Sequence, residues 1–252
     1  LYAVRSATNW GIGDFGDLKR IAGTLADSGA GLIGLNPLHA LFPWSPEAAS
    51  PYSPTDRIRL NVLMIDVTAL PEYAECAEVR IKVESAEFQS RLAQLRAEEM
   101  VDYAGVAAAK WPVLQSLYKH LNAVDRARGI DRAREFERWC DRGGDVLRKL
   151  ALYDAIQLQM RAEDPSRWGW PAWPEPLRDS RSAEVSRFEH EHVDEVGYHL
   201  WLQWHADVQL SAAAEEAHAR GMPLGLYRDL AVGGSSGGAE TWANPDAYAL
   251  EL

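Results

Sequence analysis

A helical pattern from Val193 to Arg220 stops at Gly221, and a short apolar run then leads into Tyr227-Arg228-Asp229. This long helix, glycine stop and short strand constrain the fold more than any other stretch. Leu224 and Leu226 are expected in a short buried strand, with Asp229 delivered at its C-terminal end. Where strands and helices alternate around a parallel sheet, chemistry collects at that end of each strand. Asp229 is therefore the first candidate site residue.

Two further strands are expected upstream. Leu1 to Arg5 alternates weakly, and Gly31 to Pro37 is a short apolar run. Between them, Asp14 or Asp17 is placed to cap a helix carrying Leu18, Ile21, Ala22 and Leu25, which ends at Ser28-Gly29. A strand–helix–strand unit of this size suits a parallel pair. His39 follows the second strand. It reads either as a ligand or acid/base group or as a hydrogen-bonded structural residue.

Residues 40–61 form a long proline-rich loop. Pro51 and Pro54 bracket Tyr52 and restrict their own backbones and those of the residues before them. Tyr52 reads either as a rigid sugar platform or as a residue packing the loop. Asn61 to Val67 is expected to be extended. From Pro71 to about Asp164 the pattern is helical, with openings at Ser85, Asp102 and Pro112 and a break at Gly143-Gly144. The charge-rich run Arg126 to Asp141 reads as a solvated face, and Asp154 either as a group that reaches a site or as a capping or surface carboxylate. Trp168, Trp170 and Trp173 suit either a glycan surface or a stiff buried connector. A row of Val196, Leu200, Trp204 and Val208 marks the apolar face of the last long helix. Gly233 to Gly238 lacks a phosphate-loop lysine and opens no clear helix.

Composition narrows the partners. In 252 residues, 26 Lys plus Arg face 37 Asp plus Glu, a formal charge of −11. That opposes nucleic acid or an anionic membrane as partner but not a neutral sugar. Ten Trp and nine Tyr against five Phe suit sugar faces. Cys76 and Cys140 lack metal-ligand or disulfide-framework spacing and read as reduced thiols in the cytoplasm. No metal and no cofactor are expected. The sequence opens at Leu1 without methionine and closes at Leu252, which reads as a segment of a longer protein.

Several blocks, in order, carry a resemblance: LYAVRSATNWGIGDFGDL from Leu1, GLNPLHALF from Gly34, SPYSP from Ser50, VDYAGVAAAKWPVL from Val101, WLQWHADVQL from Trp201, GLYRDLAVG from Gly225 and GAETWAN from Gly238. Together they resemble the 4-α-glucanotransferases (amylomaltases) of the α-amylase superfamily, in their longer bacterial form. The resemblance implies an α/β chain: part of a (β/α)8 TIM barrel, strands one to three, with a helical insertion between strands two and three. The implied divisions are 1–70, 71–185 and 186–252. It also implies retaining transfer between maltooligosaccharides or other α-1,4-glucans, with the rest of the barrel as a further partner. The family's catalytic Asp, Glu and Asp follow strands four, five and seven, so no catalytic residue is assigned here. Asp229, Tyr52 and Ser50 match substrate-binding positions; Arg228 and His39 are secondary candidates. Val62 and Met64 stand where the family more often has Pro and Tyr. The competing expectations are an amylase-like hydrolase and a non-catalytic glucan-binding module.

Overall fold

The structure, a computed structural model, describes residues 1–126 and 131–249. Residues 127–130 of the charge-rich run and the last three positions lie outside the described residues. The chain is mixed α/β and mostly helical: α1 (Phe15–Asp27), β1 (Leu32–Leu35), β2 (His39–Ala40), β3 (Asp56–Leu60), α2 (Pro71–Glu75), α3 (Ala77–Glu84), α4 (Ala86–Ala97), α5 (Tyr103–His120), α6 (Asp131–Glu163), α7 (Glu175–Arg178), α8 (Ala183–Glu191), α9 (Val193–Ala219), β4 (Gly225–Arg228) and α10 (Ala239–Ala243). It divides into two compact units. One comprises Leu1–Asn36, Val62–Glu135 and His205–Asp229, the other Pro37–Asn61, Phe136–Trp204 and Leu230–Leu252.

In the first unit, β1 and β4 pair in parallel, with Leu32 opposite Gly225 and Leu35 opposite Arg228. The amide of Leu224 donates to the Gly31 carbonyl at 3.0 Å, continuing the pairing upstream of β4. Asp14 caps α1 and forms a capping box with Asp17, which satisfies free amides at both positions. Gly29 and Gly221, at φ +85° and +87°, end α1 and α9 in the left-handed conformation that a Cβ disfavours. Ser85 caps α4 and Asp102 caps α5 through bonds to Phe88 and Gly105 amides. Helices α2 and α3 pack on α5, whose Val106, Val113, Leu114 and Leu117 are buried.

Five expectations are corrected. Leu1 to Arg5 forms no strand: Val4 N–H closes a turn on the Leu1 carbonyl, and the Tyr2 carbonyl accepts from Gly13. With those groups taken, the expected pairing of this run with residues 31–37 is replaced by β1 with β4. Val62–Met64 and Val67–Ala69 are short 3-10 turns, so the extended piece is β3, just upstream of the expected one. Pro112 lies inside α5 and does not start it, because the apolar face continues through it. Leu224 is exposed and Leu226 half-buried, since β4 has one strand neighbour and little covers its faces among the described residues. Val208 of the expected apolar row in α9 is also exposed.

In the second unit, β2 and β3 pair antiparallel with an irregularity between His39 and Ala40. The long proline-rich loop is thus the connection of a hairpin. Gln203 brackets β3: its Oε1 accepts from Leu60 N–H at 3.0 Å and its Nε2 donates to the Leu60 carbonyl at 2.8 Å. Helix α6 leaves helical geometry at Gly144, as the double glycine implies. Beyond it, Leu150, Tyr153, Ile156 and Met160 join Trp173, Phe188, Val196 and Trp242 in one apolar core. Trp173 is a buried connector residue, whereas Trp168 stays partly exposed. Gly238, contrary to expectation, caps the five-residue α10, because Thr55 supplies acceptors for the first two amides of that helix.

Asp154 is likewise corrected. It is buried on the inner face of α6, not at a cap or the surface. Burial, and then the nearby Asp56, push its carboxyl well above the usual range. His199 Nδ1 lies 3.8 Å from Asp154 Oδ2, and burial lowers the His199 pKa to about 4. Burial thus disfavours the charged form of both groups where they face each other.

Candidate functional site

The parallel register positions the first candidates. Asp229 N–H donates to the Leu35 carbonyl at 3.0 Å, one residue past the end of β4. Asp229 therefore leaves the C-terminal end of the strand with its backbone held, and its residue is part-exposed. Arg228 closes β4 and is exposed. Both belong to the first unit; Ser50, Tyr52 and His39 belong to the second.

Tyr52 projects from the connection between β2 and β3 and is 53% exposed. The connection around it is built, not slack. Ser53 N–H closes a turn on the Ser50 carbonyl at 3.2 Å, and Thr55 N–H reaches the Ala40 carbonyl at 2.9 Å. Upstream, Phe42 and Trp44 meet edge to face at 5.2 Å, and Trp168 packs against both. Ser50 is exposed on the same turn. His39 has the opposite character: it is buried, and its Nε2 accepts from Ala231 N–H at 3.1 Å. That bond makes it a fastener of the hairpin base, one of the two readings open from sequence.

One ion pair of the second unit escaped sequence reasoning. Arg57 of β3 grips Glu240 of α10, with Nη2 2.8 Å from Oε1 and Nε 3.1 Å from both carboxylate oxygens. Burial opposes ionisation of Glu240, yet Arg57 and Tyr248 hold its pKa below the usual value. No local signal joins residues so far apart in sequence.

In the first unit, another buried charge lies near Asp14 and Asp17 of the loop Asn9 to Asp17. Lys110 Nζ donates to the carbonyls of Leu63 and Ile65 at 2.7 and 2.8 Å. Burial lowers its pKa to about 8 against the pull of Asp14, Asp66 and Asp17. Asp14 is raised to about 6, chiefly by burial, which outweighs Lys110 and the Asp17 amide. Asn9 Nδ2 donates to Asp17 Oδ2 at 2.7 Å, which ties the two ends of this loop together. Among the described residues no group of three or more His, Cys, Asp or Glu side chains has the geometry to hold a metal ion. No described helix is long and apolar enough to cross a membrane.

Fold and sequence comparisons define the class first. The chain resembles the crystal structure of amylomaltase from Corynebacterium glutamicum with a TM-score of 0.74 and 31% identity, over 95% of this chain and 30% of that one. Amylomaltase from Streptococcus agalactiae in complex with acarbose shares the fold at a TM-score of 0.69 and 17% identity, over 98% of this chain and 45% of that one. It is thus an α/β chain of the amylomaltase fold. The 4-alpha-glucanotransferase family model matches residues 1–252, and the chain belongs to that family, glycoside hydrolase family 77. The 4-alpha-glucanotransferase of Haemophilus influenzae is 34% identical over 99% of this chain and 36% of its own length. That of Mycobacterium tuberculosis is 35% identical over 99% of this chain and 33% of its own. The chain spans about a third of the length of these curated relatives.

Proposed function

We propose that this chain is part of an enzyme that transfers α-1,4-glucan segments between maltooligosaccharides. The observation that carries the reading is the family match across all 252 residues, joined to relatives that bear the name 4-alpha-glucanotransferase. In the proposed reaction a carboxylate attacks the anomeric carbon while a carboxylic acid protonates the leaving glycosidic oxygen. The 4-hydroxyl of an acceptor sugar then attacks the glucosyl-enzyme ester, gives its proton to the same acid/base group and frees the carboxylate. No carboxylate of residues 1–252 is assigned either role.

This chain's part is recognition. Asp229 accepts hydrogen bonds from sugar hydroxyls at the end of β4, Tyr52 offers a ring face to a glucose, and Ser50 contributes a hydroxyl. The held Asp229 backbone and the exposed, proline-bracketed Tyr52 support these roles. Arg228 and His39 take supporting parts, and the bond from Ala231 to His39 favours a structural one for the histidine. In this reading β1 and β4 are neighbouring strands of a (β/α)8 barrel, and the mostly helical residues 71–185 are inserted between them. The divisions 1–70, 71–185 and 186–252 follow from that reading. The parallel pairing supports it. A cytoplasmic compartment is part of the same reading; it rests on Cys76 and Cys140, whose spacing suits no disulfide framework.

The test is product analysis of the full-length polypeptide on maltotriose. Longer and shorter oligomers together are the expected result. Shorter products alone would replace transfer with hydrolysis, and saturable binding without turnover would replace it with a glucan-binding module.

A further inference from the structure

We infer that Arg57 and Glu240 are positioning residues for the sugar contact of Tyr52, an inference that rests on the reading of Tyr52 given above. Arg57 lies five residues after Tyr52, past the stiff Pro54. Its guanidinium forks onto Glu240, and Glu240 Oε2 also accepts the Arg57 amide at 3.0 Å. The fork reaches further, from Nη1 to the Val232 carbonyl at 2.8 Å and from Nη2 to the Tyr248 hydroxyl at 3.1 Å. Tyr248 in turn donates to Glu240.

The backbone repeats the connection closer to Tyr52. Ser235 N–H donates to the Pro54 carbonyl at 2.8 Å, Glu240 N–H to the Thr55 carbonyl at 2.9 Å, and Ala239 N–H to Thr55 Oγ1 at 2.9 Å. The Glu240 side chain is 9% exposed and that of Arg57 24%, so the pair is partly shielded from water and salt. An exposed ion pair adds little to stability. This one sits where two segments 183 positions apart are joined, and a two-pronged guanidinium–carboxylate contact fixes orientation as well as distance. The segment carrying Val232 to Tyr248 therefore sets the direction in which the Pro51–Pro54 turn presents the Tyr52 ring. Orientation, not mere presence, decides whether a ring stacks on a sugar.

The experiment is a double-mutant cycle in the full-length polypeptide, read as KM and kcat for maltotriose transfer. Glu240→Gln keeps the shape and removes the charge; Arg57→Lys keeps the charge and removes the fork, and is read in its place if Glu240→Gln lowers the yield of folded protein. Tyr52→Ala removes the ring. Either variant of the pair is expected to raise KM about three- to tenfold with kcat within about twofold, and to add little further in the Tyr52→Ala background. A KM increase that persists undiminished without the ring, or no KM change in either variant of the pair, overturns the inference while leaving the role of Tyr52 standing. An unchanged KM in Tyr52→Ala alone overturns the role of Tyr52 and the inference with it.

Discussion

Asp229 donates its amide to the carbonyl of Leu35 at 3.0 Å, so the parallel pairing of β1 and β4 runs one residue beyond the last residue of β4. The backbone bond does not depend on the side chain. Asp229→Asn is therefore expected to unfold within about 0.5 kcal/mol of the parent, as surface substitutions do. In the full-length polypeptide it should lower kcat/KM for maltotriose by about tenfold or more, the loss of a charged hydrogen-bond acceptor. Parallel urea unfolding and initial-rate assays check both halves, and normal activity removes Asp229 from the site.

Lys110 is a buried cation near Asp14, Asp17 and Asp66. Lys110→Met fills the space but leaves the buried carbonyls of Leu63 and Ile65 without their donor. The expected loss is about 2–4 kcal/mol in urea unfolding at pH 7. The pH dependence has a definite sign. The folded pKa of about 8 lies below the ordinary 10.5, so the unfolded chain holds more protons between those values. Stability linked to this group is present above pH 10.5 and is lost as pH falls toward 8. Lys110→Met should flatten that slope.

His199 gives a second pH test, on the acid side. Its folded pKa of about 4 lies below the ordinary 6.5, so its contribution is complete above pH 6.5 and is lost as pH falls toward 4. Asp154 acts with the opposite sign: its raised pKa favours the folded state most below pH 3.8 and progressively less as pH rises. His199→Gln keeps the Asp154 contribution and removes the histidine one. The parent should therefore lose about 1–3 kcal/mol more than the variant between pH 6.5 and 4, measured by denaturant titration.

Gln157 is buried beneath the tryptophan connector. Its Oε1 accepts from Gly169 N–H at 2.9 Å and Trp173 Nε1 at 2.7 Å, and its Nε2 donates to the Arg167 carbonyl at 2.6 Å. Gln157→Leu orphans all three partners. A loss of about 3 kcal/mol or more is expected, with a shift in tryptophan emission as the Trp173 environment changes. An unchanged emission spectrum and melting curve would show that water satisfies these groups.

Much of the local structure was legible. Asp14, Ser85 and Asp102 cap helices by bonds to amides three residues on, and Gly29, Gly144 and Gly221 end or break helices at their own positions. The candidate site was partly legible for the same reason. The prolines around Tyr52 and the glycine stop before β4 are neighbours in sequence of the residues they present. The five-residue α10 was not legible, because Thr55, far away in sequence, holds its first amides.

Short-range chemistry, readable residue by residue, thus decided where helices start and stop and which side chains the turns present. Contacts between distant segments decided the rest. Leu1 to Arg5 had the alternation of a strand but lost its backbone groups to a turn and to Gly13. Asp154 looked like a surface carboxylate until α6 turned that face inward, and Leu226 looked like core until β4 had one neighbour. Burial and charge pairing depend on what the folded chain brings alongside a residue, and a one-dimensional pattern carries only that residue's own preference.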